Sequence, residues 1–272
     1  MAESQASGRQ FMDLSVPEYS YMFGFLQADG HLTPGTGKKG RLSVEINARD
    51  VHLLREFQRL TPYYSSVRER SRSTNFAAIW TLCSLEARTL LNGLGLPYGR
   101  KSDGIAPPSS GFSPRDYLRG VVDADGSVGL TSKGYPFVSL TTASTELAAF
   151  FCQYGQEVTG LERSSKRNAR DAVYNVLYMM EGAQSLASHL YYRGCLALER
   201  KRRAAISLGD WKRPATMRAV HTRRRWTPCE DRILLKLGSP AAASEALGRT
   251  VQSCSLRLWR LRSGQTPEPS ST

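Results

Sequence analysis

Two nine-residue stretches constrain this chain more than any other feature. Met22-Phe23-Gly24-Phe25-Leu26-Gln27-Ala28-Asp29-Gly30 and Leu118-Arg119-Gly120-Val121-Val122-Asp123-Ala124-Asp125-Gly126 both read as an apolar helical turn with a glycine, closed by Ala-Asp-Gly. They lie 96 residues apart, enough for one small domain between them, which points to an internal duplication rather than a short solenoid repeat.

Within each copy the small residues fall at helical i, i+4 spacing, Gly24 with Ala28 and Gly120 with Ala124. A helix-interior glycine costs about 1 kcal/mol relative to alanine, and close packing of two helix backbones is a compensating reason for it. Gly30 and Gly126 stand where left-handed helix C-caps are expected. The preceding aspartates would then sit at the negative ends of the helix dipoles, where a cation is favoured. If the helices pair about a pseudo-twofold axis, Asp29 and Asp125 come together, and oxygen ligands with water suit magnesium.

The paired stretches resemble the LAGLIDADG motif of homing endonucleases, in the two-motif single-chain form, over about residues 17 to 208. The second copy matches at six of nine positions. The resemblance implies an α+β fold of two pseudo-symmetric αββαββα repeats whose antiparallel sheets form a saddle over duplex DNA. It implies a monomeric, metal-dependent endodeoxyribonuclease, using Mg2+ or Mn2+, that cuts both strands of a long asymmetric site and leaves short 3′ overhangs. The acid at the eighth motif position carries over onto Asp29 and Asp125 as metal ligands. The sixth position is usually acidic too: Asp123 fits and Gln27 departs. Lys101 and Lys201, each after an arginine, fall where the family carries a lysine that polarises water or phosphate. Asp50 and Ser144 fall where it places polar residues that hold active-site water; both also read as helix N-caps.

Charge supports a polyanionic partner. The net charge is +13, and residues 200–262 hold 16 Lys and Arg against four acids, whereas residues 1–199 hold 21 against 19. The body is locally striped, with basic residues at the expected hairpins: Lys38, Lys39 and Arg41; Arg68, Arg70 and Arg72; Lys133; and Arg163, Lys166, Arg167 and Arg170. No apolar run approaches the roughly 20 residues of a membrane span. The polar start lacks the apolar core of a signal peptide, and five cysteines show no CxxC pair, so a cytoplasmic protein, nucleoid-associated when bound, is expected. His31, His52, His189 and His221 are scattered, and no GxSxG, Walker or Rossmann motif is present.

Periodicity and turn chemistry divide the chain into a tail at 1–16, a first repeat at 17–98, a linker at 99–112, a second repeat at 113–208, a basic linker at 209–225, a helical module at 226–263 and a tail at 264–272. The first repeat reads as a helix from Pro17 to Asp29, a hairpin through His31–Leu32 and 41–47, a helix from Asp50 to Leu60, a hairpin at 64–70 and 76–82, and a helix at 85–94. The second repeats that order, with strands expected around Leu161 and at 173–180.

The final segment reads as three short helices in helix-turn-helix fashion and resembles a Myb-like DNA-binding module through Trp226, Glu230-Asp231, Leu247-Gly248-Arg249-Thr250 and Trp259. Arg249, Gln252, Ser255, Arg257 and Arg260 are its expected DNA contacts, with Leu256 and Trp259 in its core. Two other readings stay open: a non-cleaving DNA-binding regulator on the same duplicated fold, and an intron maturase whose partner is RNA.

Overall fold

A computed structural model describes residues 10–37, 39–72, 75–215, 217, 226–267 and 269, and the chain divides into two compact units, Met1–Arg213 and Pro214–Thr272. In the first unit, α1 (Pro17–Asp29) is followed by β1 (His31–Leu32), β2 (Leu42–Asn47), a 3-10 turn (Ala48–Asp50), α2 (Val51–Leu60), β3 (Ser65–Arg72), β4 (Asn75–Leu82) and α3 (Leu85–Gly93). The second copy comprises α4 (Pro114–Asp125), β5 (Gly126–Leu130), β6 (Pro136–Thr142), α5 (Thr145–Thr159), β7 (Tyr174–Met179), α6 (Met180–Leu190) and α7 (Glu199–Leu208). No helix among the described residues is long and apolar enough to cross a membrane.

Prolines start both motif helices, as a fixed φ and an unneeded N–H allow at N1. The helices pack backbone to backbone. A Cβ on Gly24 would lie 2.2 Å from the Tyr117 carbonyl oxygen, and one on Gly120 would lie 2.1 Å from that of Tyr21. The close approach expected from the i, i+4 small residues is thus present. The caps are not left-handed, however: Gly30 (φ −70°) and Gly126 (φ −104°) are extended. Glycine is needed there for space, because a Cβ would meet the Leu26 carbonyl oxygen at 2.5 Å and the Ser139 carbonyl oxygen at 2.6 Å.

The first copy builds an antiparallel sheet in the order β1-β2-β4-β3, and the second an antiparallel sheet in the order β5-β6-β7. Alternation assigns the faces. Leu42 and Val44, Ala78, Trp80 and Leu82, Val138 and Leu140, and Val176 and Tyr178 all turn into one continuous core with α1 and α4.

The structure corrects two expectations here and adds two features. The strand around Leu161 does not form: residues 161–170 run as irregular chain beside β7, held by the Ser165 hydroxyl on the Asn175 carbonyl at 3.3 Å. Leu161 packs against the core, but beyond it Arg163, Lys166, Arg167 and Arg170 crowd a segment with no apolar alternation to bury as a strand. The packed body begins earlier than Pro17, because Phe11, Met12 and Leu14 are buried, with Phe11 edge-on to Tyr19 and Tyr63. The linker between the copies packs through buried Ile105. Finally, α7 adds a helix at the end of the second repeat; the Gln184 amide holds its C-terminal end through the carbonyls of Leu208, Gly209 and Trp211 at 2.9–3.1 Å.

The second unit holds α8 (Pro228–Leu237), α9 (Pro240–Leu247) and α10 (Val251–Arg262), turned by left-handed Gly238 (φ 61°) and Gly248 (φ 60°). A capping box of Thr227 and Glu230 starts α8. Its small core is Leu234, Ala243, Leu247, Cys254, Leu258 and Leu261. Leu256 and Trp259, expected inside, are instead 49% and 54% exposed. Leu258 and Leu261, with Cys254, lie at i, i+4 and i+7 and make the narrower apolar stripe facing α8 and α9.

Candidate active site

The paired helices deliver Asp29 and Asp125 as their last residues, each with an exposed edge. Surrounding protein still removes enough water to raise both carboxyl pKa values above the ordinary range. For Asp125 burial is the largest cause and Asp29 adds to it, while Lys101 and Lys201 oppose, bringing the pKa to about 6. Each aspartate thus feels both lysines, and Asp125 feels its counterpart, so the four groups form one electrostatic cluster.

The lysines have matching roles. Lys201, in the first turn of α7, donates to the carbonyls of Val122 at 2.8 Å, Asp123 at 2.7 Å and Gly126 at 2.8 Å. Lys101 donates to the carbonyls of Leu26 at 3.3 Å, Gln27 and Ala28. Both ammonium groups therefore close the free carbonyl ends of α1 and α4, where the helix dipoles favour a cation. Burial pulls each pKa down to about 8, against the raising influence of nearby carboxylates.

Behind the acids, the sixth motif position bridges the copies. Asp123 accepts from the Tyr21 hydroxyl, the Tyr191 hydroxyl and the Leu198 N–H, each at 2.7 Å. Burial raises its pKa despite these donors. Gln27 accepts from the Tyr117 hydroxyl at 2.6 Å and donates to the carbonyls of Gly95 at 2.9 Å and Ala106 at 3.1 Å. An amide suits one donor and two acceptors, and a carboxylate suits three donors, which accounts for the departure at Gln27.

Arg119, fully buried beside this position, donates to the carbonyls of Leu196 and Leu190 and pairs with Asp116 at 2.6 Å. Sequence reading did not single out Tyr21, Tyr117, Tyr191 or Arg119. The signal for the first two was available: they lie at the same 96-residue spacing as the motifs.

Asp50 and Ser144 have other contacts. Ser144 caps α5, accepting from the Leu147 N–H at 3.0 Å and donating to the Ile105 carbonyl at 2.6 Å. Asp50 is buried and takes an ion pair from Arg200 of the other copy at 3.0 Å. Neither is brought into the electrostatic cluster of Asp29 and Asp125 by any contact among the described residues.

Among the described residues no cluster of three or more His, Cys, Asp or Glu side chains gathers. Two carboxylates still fit a hard cation that keeps water or substrate oxygens in its remaining positions, as magnesium does. They do not make a closed structural metal site.

The second copy matches the family model of the LAGLIDADG-like domain over residues 113–191. Residues 113–191 are similar to the LAGLIDADG-like domain. That domain runs from the start of α4 through α6 and contains Asp123 and Asp125. The fold of the chain is also similar to that of a solved homing endonuclease. A structure of mesophilic variants of the homing endonuclease I-DmoI is similar at a TM-score of 0.50 and 12% identity, covering 72% of this chain and 99% of that one. The meganuclease I-SmaMI, bound to uncleavable DNA, is similar at a TM-score of 0.46 and 12% identity, covering 70% and 91%. No curated protein sequence matches the chain.

The basic residues fall into three groups. Lys39, Arg41, Arg68, Arg70, Lys133, Arg163 and Lys166 are exposed. Lys38 and the Arg72 side chain lie outside the described residues. Arg167 is anchored to the carbonyls of Ala172 at 2.7 Å and Ala143 at 3.3 Å, and Arg170 pairs with Asp171 at 2.9 Å.

In the second unit, Gln252, Ser255 and Arg260 are exposed. Arg249 and Arg257 are engaged within the unit. They pair with Glu230 at 2.8 Å and Asp231 at 2.6 Å and flank the Trp226 ring at 4.1 and 5.8 Å. Two acids buried in α8 need partners, and these arginines supply them.

Proposed function

We propose that the chain is a site-specific endodeoxyribonuclease that makes a metal-dependent double-strand break in a long asymmetric duplex site. The observation that carries the reading is the pair of equivalent acids, one from each copy, at the C-termini of two helices packed backbone to backbone. A fold that only binds DNA has no need to hold two partly desolvated carboxylates against a phosphodiester.

Asp29 and Asp125 would hold Mg2+ or Mn2+, and the chemistry supplied there by a bound ion is activation of water and neutralisation of charge on the phosphodiester. In hydrolysis, the oxygen of water bonds to phosphorus as the P–O bond to the leaving oxygen breaks. Lys101 and Lys201 fix the helix ends that carry the acids and offset their mutual repulsion. Asp123 and Gln27 lock the helix pair from behind. The duplex would lie against the outer faces of the two sheets, with Lys39, Arg41, Lys133, Arg163 and Lys166 at phosphates. The chain acts as a monomer with pseudo-twofold symmetry.

The second unit would add affinity through α10, where Gln252, Ser255 and Arg260 face outward, by raising the effective concentration of a second DNA contact. Removing it by ending the chain at residue 213 is expected to weaken duplex binding and lessen its salt dependence. Equal affinity and site preference in the truncated chain would contradict this role. Cleavage of duplex DNA in magnesium, compared between the chain and its Asp29→Asn variant, tests the main reading.

A further inference from the structure

Strand alternation gives the two outward sheet faces different chemistry. On the first sheet, Ser66, Arg68 and Arg70 of β3 pair across to Thr81, Ile79 and Ala77 of β4, which pair on to Ser43, Glu45 and Asn47 of β2. Ala78, Trp80 and Leu82, one residue out of phase, are buried, so this set faces outward. Arg68 and Arg70 make no hydrogen bond or ion pair among the described residues, whereas Glu69, on the opposite face, reaches Arg55 of α2 at 3.4 Å.

The outward set on the second sheet carries no charge at all. It contains Phe137, Ser139 and Thr141 of β6, paired with Met179, Leu177 and Asn175 of β7, together with Ser127 and Gly129 of β5. Leu177 is 45% exposed although a strand residue of its size is usually covered. The positive charge of this half stands off the face, in the Arg163–Arg170 segment at the β7 edge.

These faces match different base edges. Arginine is bidentate to guanine and a carboxylate accepts from the cytosine amine, while apolar side chains meet the thymine methyl. We infer that the two copies read their halves of the target by different chemistry: the first sheet selects G·C pairs through Arg68, Arg70 and Glu45, and the second selects A·T pairs through Leu177 and Phe137. The inference rests on the reading that duplex DNA lies against these faces. It makes the site asymmetric in composition as well as in sequence.

The test is selection of bound duplexes from a randomised library by the full chain carrying Asp29→Asn and Asp125→Asn, so that sites are recovered uncut. Recovered sites should be G·C-rich in one half and A·T-rich in the other. Arg68→Lys with Arg70→Lys keeps the charge but not the fork, and should lower guanine preference about tenfold in the first half alone. Leu177→Ser should relax thymine preference in the other half alone. Melting curves of the variants confirm folding, since all three positions are exposed.

Equal composition in both halves, or lysine substitutions that leave guanine preference intact, would overturn the inference while leaving DNA binding in place. Recovery of no common duplex by the parent chain would overturn the DNA-binding reading itself.

Discussion

The Tyr21 hydroxyl donates to Asp123 across the helix pair at 2.7 Å, and the Tyr117 hydroxyl makes the equivalent bond to Gln27 in the other direction at 2.6 Å. The bonds are related by the duplication, but their acceptors differ because the remaining partners differ. Asp123→Asn turns an amide N–H toward three donors, and Gln27→Glu sets a carboxylate against two carbonyl oxygens. Each exchange is expected to lower unfolding free energy by about 1–3 kcal/mol in urea titrations. A change within about 0.5 kcal/mol for either, the range of ordinary surface substitutions, would show that the bridges are dispensable.

Gly24→Ala and Gly120→Ala drive a methyl into the backbone of the opposite helix, which cannot move aside as a side chain can. Each should cost about 3 kcal/mol and disturb the spacing of Asp29 and Asp125. Gly93→Ala, where an added Cβ meets nothing within 4 Å, is the control and should be tolerated in the same thermal melts.

His189 gives a pH signature. Its ring lies 2.7 Å from the Tyr154 hydroxyl, near Arg115 and Asp116, and burial first, then Arg115, push its pKa below the ordinary 6.5, with Asp116 opposing. The folded state thus favours the neutral ring. Its contribution to stability is fully present above the ordinary value and is lost as pH falls through 6.5 toward the lowered folded value. Between about pH 7 and pH 5 the midpoint of the parent should fall further than that of His189→Gln. Parallel curves would contradict the assignment.

In the second unit, Arg249→Ala removes the ion-pair partner of the buried Glu230 carboxylate, whose capping contacts with Thr227 remain, and should destabilise that unit by about 3 kcal/mol. Arg260→Ala, at an exposed position, should leave stability unchanged and weaken DNA binding. Thermal melts of the full chain, with duplex binding measured beside them, separate the two. Unchanged stability in Arg249→Ala would make that residue an outward contact after all.

Much of the fold was legible because the local signals agreed with it. Prolines and the Ala-Asp-Gly ends bounded α1 and α4, and alternation with turn residues marked β2, β3, β4 and β6. What escaped depended on partners far along the chain. Arg249 and Arg257 read as DNA contacts by charge, yet Glu230 and Asp231 claim them. Trp259 read as core through the Myb-like resemblance, yet Leu258 and Leu261 occupy the face toward the other helices.

Gly30 and Gly126 were expected for the right residue type but the wrong reason, since crowding by a neighbouring carbonyl cannot be seen in a local pattern. In the site, the spacing of the motifs singled out Asp29 and Asp125. The lysines came only through the family resemblance, and their grip on the helix ends joins residues more than 70 positions apart in the chain. Asp50 and Ser144 show how a polar residue at a helix start can be spent on a cap or a cross-copy ion pair.

Cleavage through the paired aspartates is tested by incubating the full chain with a randomised duplex library in magnesium, beside its Asp125→Asn variant, and sequencing all new ends. Metal-dependent double-strand cuts at one recurring site, lost in the variant, are the expected result. Tight, sequence-selective binding without cuts, in manganese as well as magnesium, would contradict it and leave a DNA-binding regulator on the same fold.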